Sequence, residues 1–240
     1  MKYLKRSKKK TGGIALLLVI GLVLYNFPFL FYPLGSPDKE IKSYSPIPLE
    51  TRALFIADVH FRGDPLDLGT YLAAEAINYL IIIGDLYHKP KVYYEHGIQT
   101  TLQLLNLDTY AGQIYFIWGN HDPKVNITTP NFQTLEYFGV FTIGQHTILA
   151  HHGDLRSRFG SVAGFFDYFF SEPVLENLWR KRAGIPPDMW MFTGHSHIAK
   201  LNSDLKIANC GGFQKHQFMP LKLGEGILVE EQVYLVTIPF

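Results

Sequence analysis

Leu54-Phe55-Ile56-Ala57-Asp58-Val59-His60 joins two signals in seven residues. The run from Ala53 to Ala57 has the length and composition of a buried strand. Asp58 and His60, which follow it directly, are side chains that bind divalent metals. The same pairing recurs along the chain. Leu80 to Ile83 precedes Gly84-Asp85, and Ile114 to Trp118 precedes Gly119-Asn120-His121-Asp122. Thr147 to Ala150 leads to His152-Gly153-Asp154, and Met189 to Thr193 to Gly194-His195-Ser196-His197. Taken singly, each cluster means little, because Gly-Asp after a strand can be a turn and a lone buried His is usually a core residue. As an ordered set, they gather carboxylates, imidazoles and an amide at the strand ends of one α/β fold, where such folds place their chemistry.

The residue types narrow that chemistry. Side chains at i and i+2 of an extended segment point the same way, so Asp58 and His60 can converge on one ion, as can His195 and His197 where the chain turns. Gly84, Gly119, Gly153 and Gly194 lack a Cβ and allow sharp turns and close approach to a ligand. Asp85, alone in its cluster, is the natural carboxylate to bridge two cations. Mixed Asp/His/Asn ligation suits manganese, iron or zinc. Cys210 is the single cysteine, which excludes a multi-thiolate zinc site and an intrachain disulfide. Its expected role is that of a small buried apolar residue.

The order Asp-x-His, Gly-Asp, Gly-Asn-His-Asp, His-Gly, Gly-His-x-His resembles that of the calcineurin-like metallophosphoesterases over residues 53 to 240. Within that superfamily, Leu54 to His60, Gly84-Asp85-Leu86-Tyr87, His152-Gly153-Asp154-Leu155 and the closing Ile238-Pro239-Phe240 look similar to the UDP-2,3-diacylglucosamine diphosphatases. Those enzymes usually carry Arg where His121 stands here. The resemblance implies an α/β fold, a β-sandwich flanked by helices, with two divalent metal ions at one edge. By motif position, Asp58, His60, Asp85 and His197 would hold one ion, and Asp85, Asn120, His152 and His195 the other. Manganese is the first expectation, with iron or zinc as alternatives. Such a pair activates water to attack phosphorus, and His121 would protonate the leaving oxygen. Asp122 would orient His121 by hydrogen bonding, and His151 would be structural.

Helical spacing is expected over Gly69 to Tyr79, Val92 to Leu105 and, as a short helix, Asn131 to Phe138. Val140 to Ile143 and Thr147 to Ala150 read as a hairpin about Gly144-Gln145. The chain from Lys200 reads as strands at Lys206 to Ala208, Gly226 to Glu230 and Val233 to Ile238. No linker divides residues 51–240, so one catalytic domain is expected there.

The N-terminus has a separate logic. Lys2, Lys5, Arg6, Lys8, Lys9 and Lys10 form a basic segment over 1–10, and no acidic residue precedes Asp38. Without these six, the chain has sixteen basic against twenty-one acidic residues. A negative body lacks the electrostatic footprint of a nucleic-acid binder. Residues 11–32 are uncharged and rich in Leu, Ile, Val and Phe, about the ~20 residues a transmembrane helix needs. A cleaved signal peptide is the competing reading. The long apolar run and its aromatic end favour an uncleaved anchor, with Pro28 ending or kinking the helix. The cation bias then places the N-terminus in the cytoplasm and the catalytic domain outside, as a single-pass membrane protein. Residues 33–50, rich in Pro and Ser, suit a tether.

Between His152 and Gly194, the segment Leu155 to Pro187 mixes Phe159, Phe165, Phe166, Phe169, Phe170 and Trp179 with Arg156, Arg158, Arg180, Lys181 and Arg182. One reading is an ordinary amphipathic helical pair. The sharper one is a cap whose aromatics meet acyl chains, with Arg156 and Arg158 contacting phosphate. The expected partner is therefore a phosphoester substrate, lipid-linked under the sharper reading, and the membrane itself. A cyclic-nucleotide phosphodiesterase, a nuclease and a non-catalytic module on the same fold are the alternatives.

Overall fold

The computed structural model describes residues 2–27, 45–170, 172–214 and 223–239, with side chains in the first segment described from Gly13 onward. Two sheets dominate it. One contains β2 (Ala53–Ile56), β3 (Tyr79–Ile83), β4 (Gln113–Ile117), β5 (Thr128–Thr129), β6 (Phe132–Thr134), β12 (Glu225–Val229) and β13 (Val233–Thr237), in the order β13-β12-β2-β3-β4-β6-β5. The other contains β1 (Ile47–Leu49), β7 (Phe138–Ile143), β8 (His146–His151), β9 (Trp190–Thr193), β10 (Ala199–Asn202) and β11 (Ile207–Cys210), in the order β1-β7-β8-β9-β11-β10.

Strand alternation builds the sandwich. Phe55, Ile81, Ile83 and Ile117 from the first sheet share one buried cluster with Phe141, Ile148, Ala150, Phe192 and Cys210 from the second. Phe55 stands edge-on to Phe141 and Phe192, with ring centroids 5.7 and 4.9 Å apart. Residues one position along, Leu54, Ile56, Leu80, Ile82, Ile114 and Phe116, face outward but are covered. Their cover includes helices α2 (Leu68–Ala74) and α3 (Pro90–Leu104), through Leu68, Leu72 and Leu102. On the opposite side, Val140, Leu149 and Met191 pack against Trp179 of α5 (Val174–Arg182), which follows α4 (Gly160–Phe169). Both faces of the central strands are therefore dry, which explains their unbroken apolar runs.

Strands β2, β3 and β4 run parallel, with α2 and α3 as the crossovers between them. β8 and β9 are likewise parallel. The five motif loops consequently leave the same edge of the sandwich. The hairpin about Gly144-Gln145 forms as expected. Asn131 to Phe138 does not form a helix: Phe132, fully buried and 6.0 Å from the Phe116 ring, pairs in register with Ile114. In so short a segment, pairing with an open sheet edge outweighs helical spacing. Ile47–Leu49, within the expected tether, is an edge strand against β7 that buries Leu49. Pro48 is tolerated there because an edge strand leaves some backbone groups unpaired.

Helix α1 spans Lys2–Asn26. Among the described residues no helix is long and apolar enough to cross a membrane. Residues 28–32 of the expected span over 11–32, Pro28 among them, and residues 33–44 of the expected tether lie outside the described ones.

Candidate metal centre

Beyond the ends of β2 and β3 the backbones continue side by side. Asp58 N–H donates to the Gly84 carbonyl, His60 N–H to Asp85, and Phe61 N–H to Leu86, at 3.1, 2.8 and 2.7 Å. This ladder sets Asp58 and His60 beside Asp85. The two ligands do not converge through extended geometry, however. Asp58 and His60 have φ of 54° and 50°, in the left-handed region. Asp85, His195 and His197 share that conformation, at 52°, 71° and 58°. Five expected ligands thus occupy backbone that ordinary side chains avoid, a form of strain concentrated where function requires a particular side-chain direction.

The donor atoms form two sets. Asp58 Oδ1 lies 3.7 Å from His60 Nε2 and 3.5 Å from His197 Nε2. His60 Nε2 is 3.4 Å from His197 Nε2 and 3.6 Å from Asp85 Oδ2. On the other side of Asp85, His152 Nε2 lies 3.3 Å from the same Oδ2, 3.1 Å from Asn120 Oδ1 and 3.2 Å from His195 Nδ1. His195 and His197 therefore part, one to each set, and Asp85 Oδ2 belongs to both.

Hydrogen bonds do not account for these sets. One imidazole nitrogen cannot donate to three neighbours at once, yet His152 Nε2 faces three. Asp58 Oδ1, almost wholly buried, has no hydrogen-bond partner among the described residues. Atoms bound at about 2.0–2.2 Å to a common ion stand about 3.0–3.6 Å apart, which is the spacing seen here. The residues fit a pair of divalent cations that share Asp85.

Electrostatics divide the site, leaving three imidazoles neutral while Asp58 and His152 hold protons that a cation would displace. Burial pushes His60 down to about 3 and His197 to about 4, and holds His195 well below its usual value. These imidazoles present lone pairs rather than charge. Burial pushes Asp58 up to about 7, reinforced by Asp85 and opposed by His152. Burial also acts upward on Asp85, but His152, His60 and the His121 backbone N–H together outweigh it and hold Asp85 below the usual carboxylate range. His152 is correspondingly driven up to about 10 by Asp85, against burial.

The surrounding shell differs from expectation in three places. Asp122 does not bond to His121. Its carboxylate accepts from the backbone N–H groups of Asp85, Tyr87 and Gly119, at 2.7, 3.0 and 2.7 Å, and so ties two motif loops together. It turns inward because those N–H groups have no strand partner there. His121 is held instead by its Nδ1–H, which donates to the His88 carbonyl at 2.8 Å, and by its backbone N–H, which donates to Asp85 Oδ1 at 2.8 Å.

Arg156 does not reach the surface. It is fully buried, paired with Glu176 of α5 and 3.8 Å from Asp167 of α4, and it donates to the Gly194 carbonyl at 3.1 Å. Two buried carboxylates require a buried cation, and that requirement removes Arg156 from any phosphate. Arg158 is exposed, but its guanidinium lies over the Tyr25 ring, 4.5 Å from the centroid. His151 points away from His152, as expected, and packs on Trp179 at 4.4 Å.

The glycines serve neighbouring side chains. A Cβ on Gly84 would collide with the His152 ring, and one on Gly119 with the Asp85 carboxylate and backbone. One on Gly194 would lie 2.7 Å from Asp58 Oδ2. Asn209 was missed from the sequence. It is buried in β11 and donates to the Gly194 carbonyl at 2.9 Å and Ser196 Oγ at 3.0 Å, bracing the His195 loop. A polar residue inside the buried run Ile207-Ala208-Asn209-Cys210 was the available signal.

The family model for calcineurin-like phosphoesterases matches residues 51–212, more than half of the chain and all five motif loops. The chain belongs to the calcineurin-like phosphoesterase family. It is a metal-dependent phosphoesterase, and its substrate is a phosphoester. No curated protein matches it. Two solved structures are loosely similar. One is a conserved uncharacterized protein, a predicted phosphoesterase from Streptococcus pneumoniae TIGR4, with 15% identity, TM-score 0.41, and coverage of 79% of this chain and 90% of that one. The other is Yfce, a phosphoesterase from E. coli, with 16% identity, TM-score 0.47, and coverage of 78% and 92%.

Proposed function

We propose that this phosphoesterase is a membrane-anchored phosphohydrolase that cleaves a phosphodiester or pyrophosphate bond in a lipid or nucleotide-sugar substrate, with manganese as its preferred ion and iron or zinc as alternatives. The observation that carries the hydrolytic part is the meeting of two donor sets at Asp85 Oδ2, within 3.3–3.6 Å of an imidazole from each. Bound there, a pair of divalent cations supplies Lewis acidity to phosphoryl oxygens and lowers the pKa of water.

The protein's own groups do the remainder. Asp58, His60 and His197 would hold one ion, and Asn120, His152 and His195 the other, with Asp85 between them. His121 stands beside them, its ring 5.0 Å from that of His60. With Nδ1–H committed to the His88 carbonyl, a proton delivered to the leaving oxygen comes from Nε2.

The membrane part is supported by α1 and α4. Leu16, Leu17, Leu18 and Leu22 on α1 are each 60% exposed or more, and Phe165, Tyr168 and Phe169 on α4 half or more. Exposed apolar surface of this extent marks a partner. The two helices are joined: Tyr25 packs on Phe159, Phe27 on Phe166, and buried Asn26 accepts from Ser157 Oγ and Phe159 N–H. The end of α1 is thus attached to the loop that follows His152-Gly153-Asp154. In this reading the bilayer, the cap and the metal centre keep a fixed relation, with the catalytic domain outside the cell.

The test is hydrolysis of lipid-linked against soluble phosphoesters, with manganese, iron or zinc supplied. A preference for lipid-linked substrates that is lost in Phe165→Ser/Phe169→Ser supports the proposal. Equal turnover of both classes by the wild type removes the lipid assignment. Protease accessibility of the catalytic domain in intact cells tests its side of the membrane.

A further inference from the structure

The ladder that aligns Asp58 with Asp85 does not stop at the ligands. Phe61 pairs with Tyr87, and His88 N–H donates back to the Phe61 carbonyl at 3.0 Å. Arg62 and His88 are therefore neighbours on adjacent strands, one residue beyond that pair. His88 is half-buried, with its ring stacked 6.1 Å from His121 at an interplanar angle of 28° and 5.7 Å from His60. The imidazoles of His60, His88 and His121 each place one nitrogen within 4.8 Å of the others. His88 Nδ1 has no hydrogen-bond partner among the described residues.

Arg62 is exposed yet positioned. With its amide oxygen turned toward the guanidinium, Gln214 accepts from Nε and Nη2 at 2.8 and 3.0 Å. That fork engages two of the five Arg62 N–H donors and leaves the others available to a ligand. Lys89 adds a further positive charge next to His88. None of these residues is needed to hold a cation in the two donor sets. A fixed guanidinium beside an imidazole is an anion receptor. Because it adjoins His121, the group served by the leaving-oxygen proton, the anion it receives is carried by the leaving group.

We infer that Arg62 and His88 form a subsite for a second negative charge on the leaving group, so that the enzyme selects phosphoesters whose leaving portion bears a phosphoryl or carboxylate anion. The inference rests on the phosphohydrolase reading above.

Three methyl phosphate derivatives test it. One has a plain para-nitrophenol leaving group, one a carboxy-substituted nitrophenol, and one a phenyl phosphate leaving group joined through an anhydride. The wild type is expected to show the higher kcat/KM on the two charged substrates. Arg62→Ala should lower kcat/KM on at least one of them about tenfold or more beyond its effect on the plain ester, mainly through KM. His88→Gln should act in the same direction. Loss on the anhydride alone identifies a phosphoryl anion, and loss on both charged substrates a general oxyanion site. Equal losses on all three substrates, or none, overturn the subsite while leaving the hydrolase intact. Failure of the metal-loaded wild type on every substrate instead overturns the underlying reading. Because Arg62 is exposed, its variant tests contact rather than folding, and Arg62→Gln, which keeps length without charge, repeats the test independently.

Discussion

Asp85 receives a demand from every side. Its Oδ1 accepts from the His121 N–H, its Oδ2 faces both donor sets, and its own N–H donates to Asp122. Asp122→Ala therefore removes the acceptor for three backbone donors and should weaken metal affinity about 10–100-fold without touching an ion, as judged by metal titration. Unchanged affinity would mean that the loops are braced elsewhere. The left-handed ligands give a second residue-scale outcome. At His197, φ 58°, a glycine is unstrained and an alanine is not. His197→Gly should be more stable than His197→Ala by about 1 kcal/mol in chemical denaturation, although both lose the ligand. At this scale the sequence was largely readable for ligands, because each motif concentrates its chemistry within a few residues. It was unreadable for Asp122 and Arg156, because nothing local says which way a side chain turns.

Helices α4 and α5 depend on Arg156. The arginine neutralises Glu176 and Asp167 and reaches the Gly194 carbonyl, so it links the cap to the loop carrying His195. Removing one partner from such a buried cluster strands the others. Arg156→Met should cost about 3–5 kcal/mol in denaturant unfolding. A change near zero would indicate that the carboxylates are satisfied without it. The apolar runs announced most strands, since strands covered on both faces need continuous apolar sequence. Phe132–Thr134 was misread because three residues cannot display a period, and its partner, β4, lies eighteen residues back in the chain.

The whole molecule gathers its chemistry at one edge because parallel strands leave five loops there. The buried charges of that edge predict a pH dependence. Without metal, Asp58 holds a proton until about 7 and His152 until about 10. Both must lose it to serve as ligands, so metal affinity should rise as pH increases through this window, with up to two protons released per chain. Calorimetry in buffers of differing ionisation enthalpy reads that release, and affinity independent of pH between 6 and 8 would contradict it. The most direct measurement of the central claim is the number of ions that the purified chain retains when supplied with manganese, iron or zinc. The account predicts two per wild-type chain, and loss of both from one substitution, Asp85→Ala, in a chain that keeps its secondary structure. A wild-type chain that retains none, or an Asp85→Ala chain that still retains two, would contradict it.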